Sequence, residues 1–415
     1  MRNALNQDHL KPTGLPVRQV QPIAHRVAET LTHIAAGQRI SLQGWTALES
    51  CVGLKVAGIL GLLPVLHVRA QQSELDLDVR ALASWREVLA EQYAFTQQRN
   101  QRLLQHTARI LDLANNANVT LMPLKGMDVL TQMYADIGVR STSDIDLLVQ
   151  PEQLEQATQV IEQAGFECGA RVKRHAIFAL PNSRVVSQFG DHPDNPIKVE
   201  LHTSIRNSMP LESCDLTQTV WQGAQRETRP TMPVAIYPSR TALMLYEMLH
   251  AANHAMTRSL RFTSLYDMML LAERLRREEW QTLTQVLTTS QQFWWAYVPL
   301  RLVTRYFGAT RLPPEVLALS RKIATPPLRK LGDSNGLSQF SVCDLRPNVL
   351  RHRLAFARNL GETARYLRSQ MLPTRNELSE WNIERTQWSA SMTQAHSYLH
   401  RIQRWLDPNV SRIEL

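Results

Sequence analysis

Three short apolar runs, "VTLMPL" (residues 119–124), "DIDLLV" (144–149) and "IKVELH" (197–202), restrict most what this chain can fold into. Runs of that length bounded by turn residues read as buried strands. In the third, Ile197, Val199 and Leu201 alternate with Lys198, Glu200 and His202, so one face is apolar and the other polar. Helical patterns separate the runs. "MDVLTQMY" sets Met127, Leu130 and Tyr134 on one face, and Pro151 opens a helix with Leu154, Ala157, Ile161 and Ala164 on its apolar side, stopped by Gly165. "HAIFAL" and "RVVSQF", joined by "PNS", read as a hairpin. Strand, helix, strand, helix, hairpin and strand within about ninety residues predict a small mixed β-sheet of α+β or α/β type.

The flanks are helical by pattern. "SWREVLAEQYAFTQQRNQRLLQHTARILDLANNANV" repeats Leu89, Tyr93, Leu103, Leu104, Ile110 and Leu111 at helical steps. Beyond Met209, "SRTALMLYEMLHAANHAM" and "LYDMMLLAERLRREEW" read as helices, and "ATPPLRKLGDSNG" as an interrupting loop. The expected division is a flexible N-terminus at 1–16, a helical region at 17–116, a sheet core at 117–208 and a helical C-terminal lobe at 209–415. With 44% hydrophobic and 20% charged residues, a folded globular chain is expected. The most apolar stretch, "CVGLKVAGILGLLPVLHV", carries Lys55, Pro64 and His67 and predicts core helices rather than a membrane span. "MRNALNQDHLKPTGLP" lacks a signal-peptide core, and the four cysteines show no CxxC spacing, so a reducing cytoplasm is the expected setting.

Two carboxylates stand at the entry of the second run. On a strand, residues i and i+2 point the same way, so Asp144 and Asp146 project together while Ile145 enters the core. Glu200, on the polar face of the next well-patterned strand, is the candidate third acid. Such a set suits Mg²⁺ or Mn²⁺ shared with substrate phosphates, which is the chemistry of nucleoside triphosphates. Two ions a few ångströms apart would hold the attacking and leaving oxygens of an in-line displacement. The bland reading makes Asp144 a strand-entry residue, Asp146 a local hydrogen-bond acceptor and Glu200 a solvent-facing edge.

The order "PLKG", "LTQMY", "VRSTSDIDLLV", a helix ending in "AGF", then "VELH" resembles the uncharacterised bacterial nucleotidyltransferase family of the DNA-polymerase-β-like superfamily. It is clearest at Leu124 to Gly126 and Arg140 to Val149, and returns in "LHAANHAMTRSLRFTSLYDMMLL" and "LRSQMLPT". The resemblance implies a nucleotidyltransferase core in which Asp144 and Asp146 bind metal, Glu200 adds the third acid, and a nucleoside monophosphate passes from a triphosphate to an acceptor. That superfamily usually carries Gly-Ser where this chain has Lys125-Gly126. Gly126 would let the backbone approach a phosphate and Lys125 would add a point charge.

Arg140, four residues before Asp144, is expected either to meet phosphate oxygens or to pair with Asp136 or Asp144. Ser141 and Ser143 serve the turn or a phosphate, and His202 shares Glu200's face, where it would orient a ligand or the acceptor hydroxyl. His250 and His254 have the spacing of a helical zinc site but lack its glutamate; with Arg261 and Asp267 they would line the acceptor side, or simply pack. Trp294 and Trp295 read as core. The acceptor is left open among a small metabolite, a natural-product precursor, a protein and an RNA end. Two rival readings stand beside turnover. One is a nucleotide- or partner-binding module without catalysis. The other is a toxin-like enzyme acting on tRNA, which the net charge of +9 permits.

Overall fold

The computed structural model describes residues 17–371, apart from 73, 76–81, 83, 173–174, 188, 212, 290–292, 342 and 344–348. The segment 1–16 expected to be flexible, and the end of the C-terminal region from 372, lie outside the described residues. Helices come first: α1 (Val17–Ala35), α2 (Ala47–Leu60), α3 (Leu63–Gln71) and α4 (Trp85–Asn116). The apolar stretch at 51–68 divides between α2 and α3, bent by 114°, and no single helix among the described residues is long and apolar enough to cross a membrane. Chain chemistry explains the division. Thr46 and Glu49 form a capping box that starts α2, and Gly61 at φ 72° ends it in the left-handed conformation before Pro64 starts α3.

The sheet region follows as β1 (Leu121–Pro123), α5 (Lys125–Met133), β2 (Asp144–Val149), α6 (Leu154–Gln163), β3 (Glu167–Val172), β4 (His175–Ala179) and β5 (Lys198–His202). Its strands lie in the order β1-β2-β5-β4-β3. β2 and β5 run parallel, while β1 on β2, β4 on β5 and β3 on β4 are antiparallel. The hairpin differs from expectation. "HAIFA" pairs with the upstream strand β3, and residues 184–187 form no strand because the Val186 and Ser187 amides donate to Asn195 Oδ1 instead.

Two small ribbons, β6 (Arg206–Ser208) with β7 (Ser213–Asp215) and β8 (Gln225–Glu227) with β9 (Ala235–Tyr237), flank α7 (Thr217–Trp221). The remaining helices are α8 (Arg240–Thr257), α9 (Phe262–Arg274), α10 (Arg277–Thr289), α11 (Tyr297–Phe307), α12 (Pro314–Ile323), α13 (Pro326–Ser334), α14 (Val349–Ala355) and α15 (Leu360–Met371). The expected loop at 324–336 is thus mostly helix. Prolines that look like breakers occupy its first turn, where no amide is needed, and Thr325 accepts from the Leu328 amide as its cap.

Two apolar cores result. One lies between the inner face of the sheet, the second half of α4 and α6, with Ile145, Leu147, Val149, Val199 and Leu201 buried in it. Each such side chain contributes about 1.5–3 kcal/mol on burial. The other joins α1–α3 to α8, α9 and α11–α13 and takes in Leu148 from the opposite face of β2. Trp294 and Trp295 belong to this second core, as their pattern suggests.

Candidate active site

Strand alternation decides which side chains meet. Since Ile145, Leu147, Val199 and Leu201 enter the inner core, Asp144, Asp146, Glu200 and His202 project from the other face. Parallel pairing then sets Asp146 opposite Glu200 and Leu148 opposite His202. His202 Nε2 lies 2.9 Å from Asp146 Oδ1 and 3.5 Å from Glu200 Oε2. Ligand atoms of these three residues lie within 4.8 Å of one another, the one such group among the described residues. Two hard carboxylates beside an imidazole fit a divalent cation such as Mg²⁺ or Mn²⁺. This tightest trio is not the expected Asp144, Asp146 and Glu200. By register Asp144 and His202 flank the Asp146–Glu200 pair on either side, and it is the longer imidazole side chain that reaches both carboxylates.

Lys125 and Gly126 open α5 rather than closing β1. Lys125 has φ 42°, in the left-handed region rare for a lysine. Its Nζ lies 2.8 Å from Asp146 Oδ1 and 5.5 Å from the centre of the Tyr246 ring, so the side chain faces the acids. A Cβ on Gly126 would lie 3.0 Å from Thr142 Cγ2 and 3.1 Å from Arg140 Nη1, so the position has little room for a larger residue.

Arg140 corrects an expectation. Its guanidinium grips neither Asp136 nor Asp144 but Asp267 on α9, with Nη2 at 2.6 Å and Nε at 3.0 Å, while Nη1 donates to Thr142 Oγ1 at 2.8 Å. Tyr134 donates to the same carboxylate at 2.7 Å. Asp136 instead accepts from Tyr93 and from the Gly138 amide. With all three guanidinium nitrogens so engaged in a buried pair, Arg140 anchors the loop that leads into β2.

A second arginine was missed by sequence reasoning. Arg99, on α4, donates to the carbonyls of Thr142, Ser143, Asn195, Pro196 and, more weakly, His192. One buried guanidinium thereby ties the entry of β2 to the entry of β5. A signal was present. Gln92, Thr96, Arg99 and Asn100 continue the stripe of Leu89 and Leu103, and polar residues on a buried stripe need partners.

Helix α8 supplies Tyr246, which lies against Lys125, and Glu247, neither of which was singled out. Glu247 Oε1 is buried without a hydrogen-bond partner. His250 and His254 stack edge-on at 4.2 Å with no third ligand beside them among the described residues. Burial holds both imidazoles below their ordinary range, His254 to about 4. Asp267 is spent on Arg140, and Arg261 and Ser259 line a cavity of about 590 Å³ between α2, α4 and the loop at 189–195. Ser141 and Ser143 form its wall beside Asp144, and Ile59, Leu63 and Phe189 give it an apolar side.

Charge is arranged unevenly over the acids. Burial and the charges of Asp146 and Glu200 push the Asp144 carboxyl up, against Lys125 and the Ser143 hydroxyl. Burial works on Asp146 too, but Lys125 and His202 overcome it and hold that carboxylate well below its usual range. Burial opposes the charge on Lys125, yet Asp146, Tyr246, Glu200 and Asp144 keep the ammonium protonated well above its ordinary value. The resulting group is an anionic pocket with the Lys125 ammonium lodged in it.

Clustered acids at the end of a parallel strand pair, on a small mixed sheet walled by helices, define a class of site suited to phosphate-bearing substrates and divalent metal. A family model described as uncharacterised nucleotidyltransferase matches residues 53–308. The chain belongs to that family. A solution structure of the antibiotic-resistance factor ANT(2'')-Ia is similar at 14% identity and a TM-score of 0.33, over 46% of this chain and 92% of that one. None of the curated proteins matches the chain.

Proposed function

We propose that this nucleotidyltransferase moves a nucleoside monophosphate from a triphosphate to a small hydroxylated acceptor, with Asp146, Glu200 and Asp144 as its acids. The parallel register that sets Asp146 opposite Glu200 carries the reading. A divalent cation held by Asp146 and Glu200, with His202 orienting them, would neutralise phosphate charge. The acceptor oxygen bonds to the α-phosphorus as the bond from that phosphorus to its β-bridging oxygen breaks, and the electron pair leaves with pyrophosphate. The acceptor's proton passes to a carboxylate oxygen of Asp144, the acid outside the tightest trio. Positioning and charge neutralisation supply most of the rate in such chemistry.

The acceptor side is the cavity at Ser141 and Ser143. Its volume, about 590 Å³, is that of a small-molecule site, and its mixed lining of apolar side chains with Lys55 and Arg261 suits a polar metabolite with an apolar portion. This supports a small acceptor over a tRNA end. The test is equilibrium binding of labelled ATP, CTP, GTP and UTP with Mg²⁺ or Mn²⁺, for wild type and for Asp144→Ala/Asp146→Ala. Binding of at least one nucleotide that needs metal and is lost in the double variant is expected; no nucleotide bound by wild type refutes the reading.

A further inference from the structure

We infer that the Lys125 ammonium holds the place of a second metal ion, so that this site takes up a single divalent cation. The inference rests on the metal-dependent reading above. Two ions close enough to clamp both oxygens of an in-line displacement are held most directly by a shared carboxylate that offers an oxygen to each. Asp146 is the acid placed to do so, since it lies opposite Glu200 in register and two residues from Asp144 on the same face. One of its oxygens is already taken. Oδ1 meets both Lys125 Nζ at 2.8 Å and His202 Nε2 at 2.9 Å, which leaves Oδ2 for one metal.

The ammonium is built into its position. The Lys125 side chain is 17% exposed and runs between Asp146 and the face of Tyr246. Cation–π contact and carboxylate together fix the charge at one point. The backbone is committed as well, because a φ of 42° is strained for any residue with a side chain and is kept only where surroundings over-determine it. Two of them are visible. The Leu124 amide donates to the Asp146 carbonyl at 3.0 Å, and Gly126 fits closely over Thr142 and Arg140. Glycine would suit the backbone at position 125 better, so lysine there points to a need for its charge.

The test counts ions. Full-length wild type, Lys125→Met, Lys125→Gly and Lys125→Arg are titrated with Mn²⁺ alone, and bound ion is followed by electron paramagnetic resonance. One isolated Mn²⁺ per chain is expected for wild type and Lys125→Arg. Lys125→Met and Lys125→Gly should bind two ions as a spin-coupled pair, the first at least tenfold more tightly than wild type. Lys125→Gly relieves the backbone strain, so it keeps the test sound if the methionine variant fails to fold. A coupled pair in wild type overturns this inference alone, as does a single ion of unchanged affinity in both uncharged variants. No Mn²⁺ bound by any of the proteins sinks the metal-dependent reading, and this inference with it.

Discussion

Removing Arg99 should loosen the site by releasing backbone carbonyls rather than an acid side chain. Its guanidinium donates at 2.8 Å to Ser143 and Asn195, 2.9 Å to Pro196 and 3.1 Å to Thr142, with a longer contact to His192. Four good bonds at about 1 kcal/mol each give about 4 kcal/mol for Arg99→Met. Donation from a charged group raises that figure, and water entering from the adjacent cavity lowers it. Against a total stability of about 5–15 kcal/mol, the variant still folds. Arg99→Lys, a single point of charge with fewer donors, should lose about half as much. Urea denaturation measures the stability. A Mn²⁺ titration below the transition measures alignment, because entries of β2 and β5 that are no longer tied should weaken binding more than tenfold. A loss under about 1 kcal/mol refutes the bond count. A large loss with unchanged Mn²⁺ affinity refutes the positioning role.

Asp267→Ala strands the buried Arg140 charge and should cost about 3–5 kcal/mol, read by the same denaturation; a loss near zero would show that Arg140 finds another partner. Gly126→Ala should destabilise by about 1–3 kcal/mol, since its methyl meets Thr142 and Arg140 near 3 Å, and circular dichroism melting checks it. Burial, with Asp267, pushes the Glu247 carboxyl up to about 8 from 4.5. The folded chain then binds that proton more tightly than the unfolded one, so stability is complete below pH 4.5 and falls as pH rises through 8. At 1.36 kcal/mol per pH unit the fall is at most roughly 5 kcal/mol. Glu247→Gln should therefore match wild type near pH 5 and exceed it by roughly 2–4 kcal/mol at pH 8.5; equal melting curves at both pH values would refute it.

What the sequence made legible was local. Period-two alternation is enough to put Asp144 with Asp146 and Glu200 with His202, because the face of a strand residue follows from its position alone. Pairing between distant strands is not local. The parallel register of β2 and β5 set Asp146 opposite Glu200, and the reach of the His202 imidazole made it the third member of the group. Arg140 was placed correctly before the strand, but its partner Asp267 lies 127 residues on, beyond any spacing rule. Tyr246 and Glu247 were hidden in "LMLYEMLH", which reads as a core helix, although a glutamate inside so apolar a run was the visible clue. Local chemistry was also misread. The segment 324–336 was read as a loop where Pro326 and Pro327 begin a helix, and at 184–187 β-forming residues remain outside the sheet.

Helix α1 is fastened to the last third of the described chain. His25 Nδ1 lies 2.8 Å from Ser338 Oγ, 313 residues away, and Glu29 accepts from Tyr306 and Arg305. During synthesis, then, α1 to α3 emerge long before the helices that cover them. At about 5–20 residues per second, the apolar faces of α1 to α3 wait roughly 15–60 s for those partners. Over that interval apolar helix faces without their partners are prone to misassociate, and slower synthesis lengthens the exposure. The yield of active protein should respond to the tempo of the ribosome as much as to the stability of the finished fold.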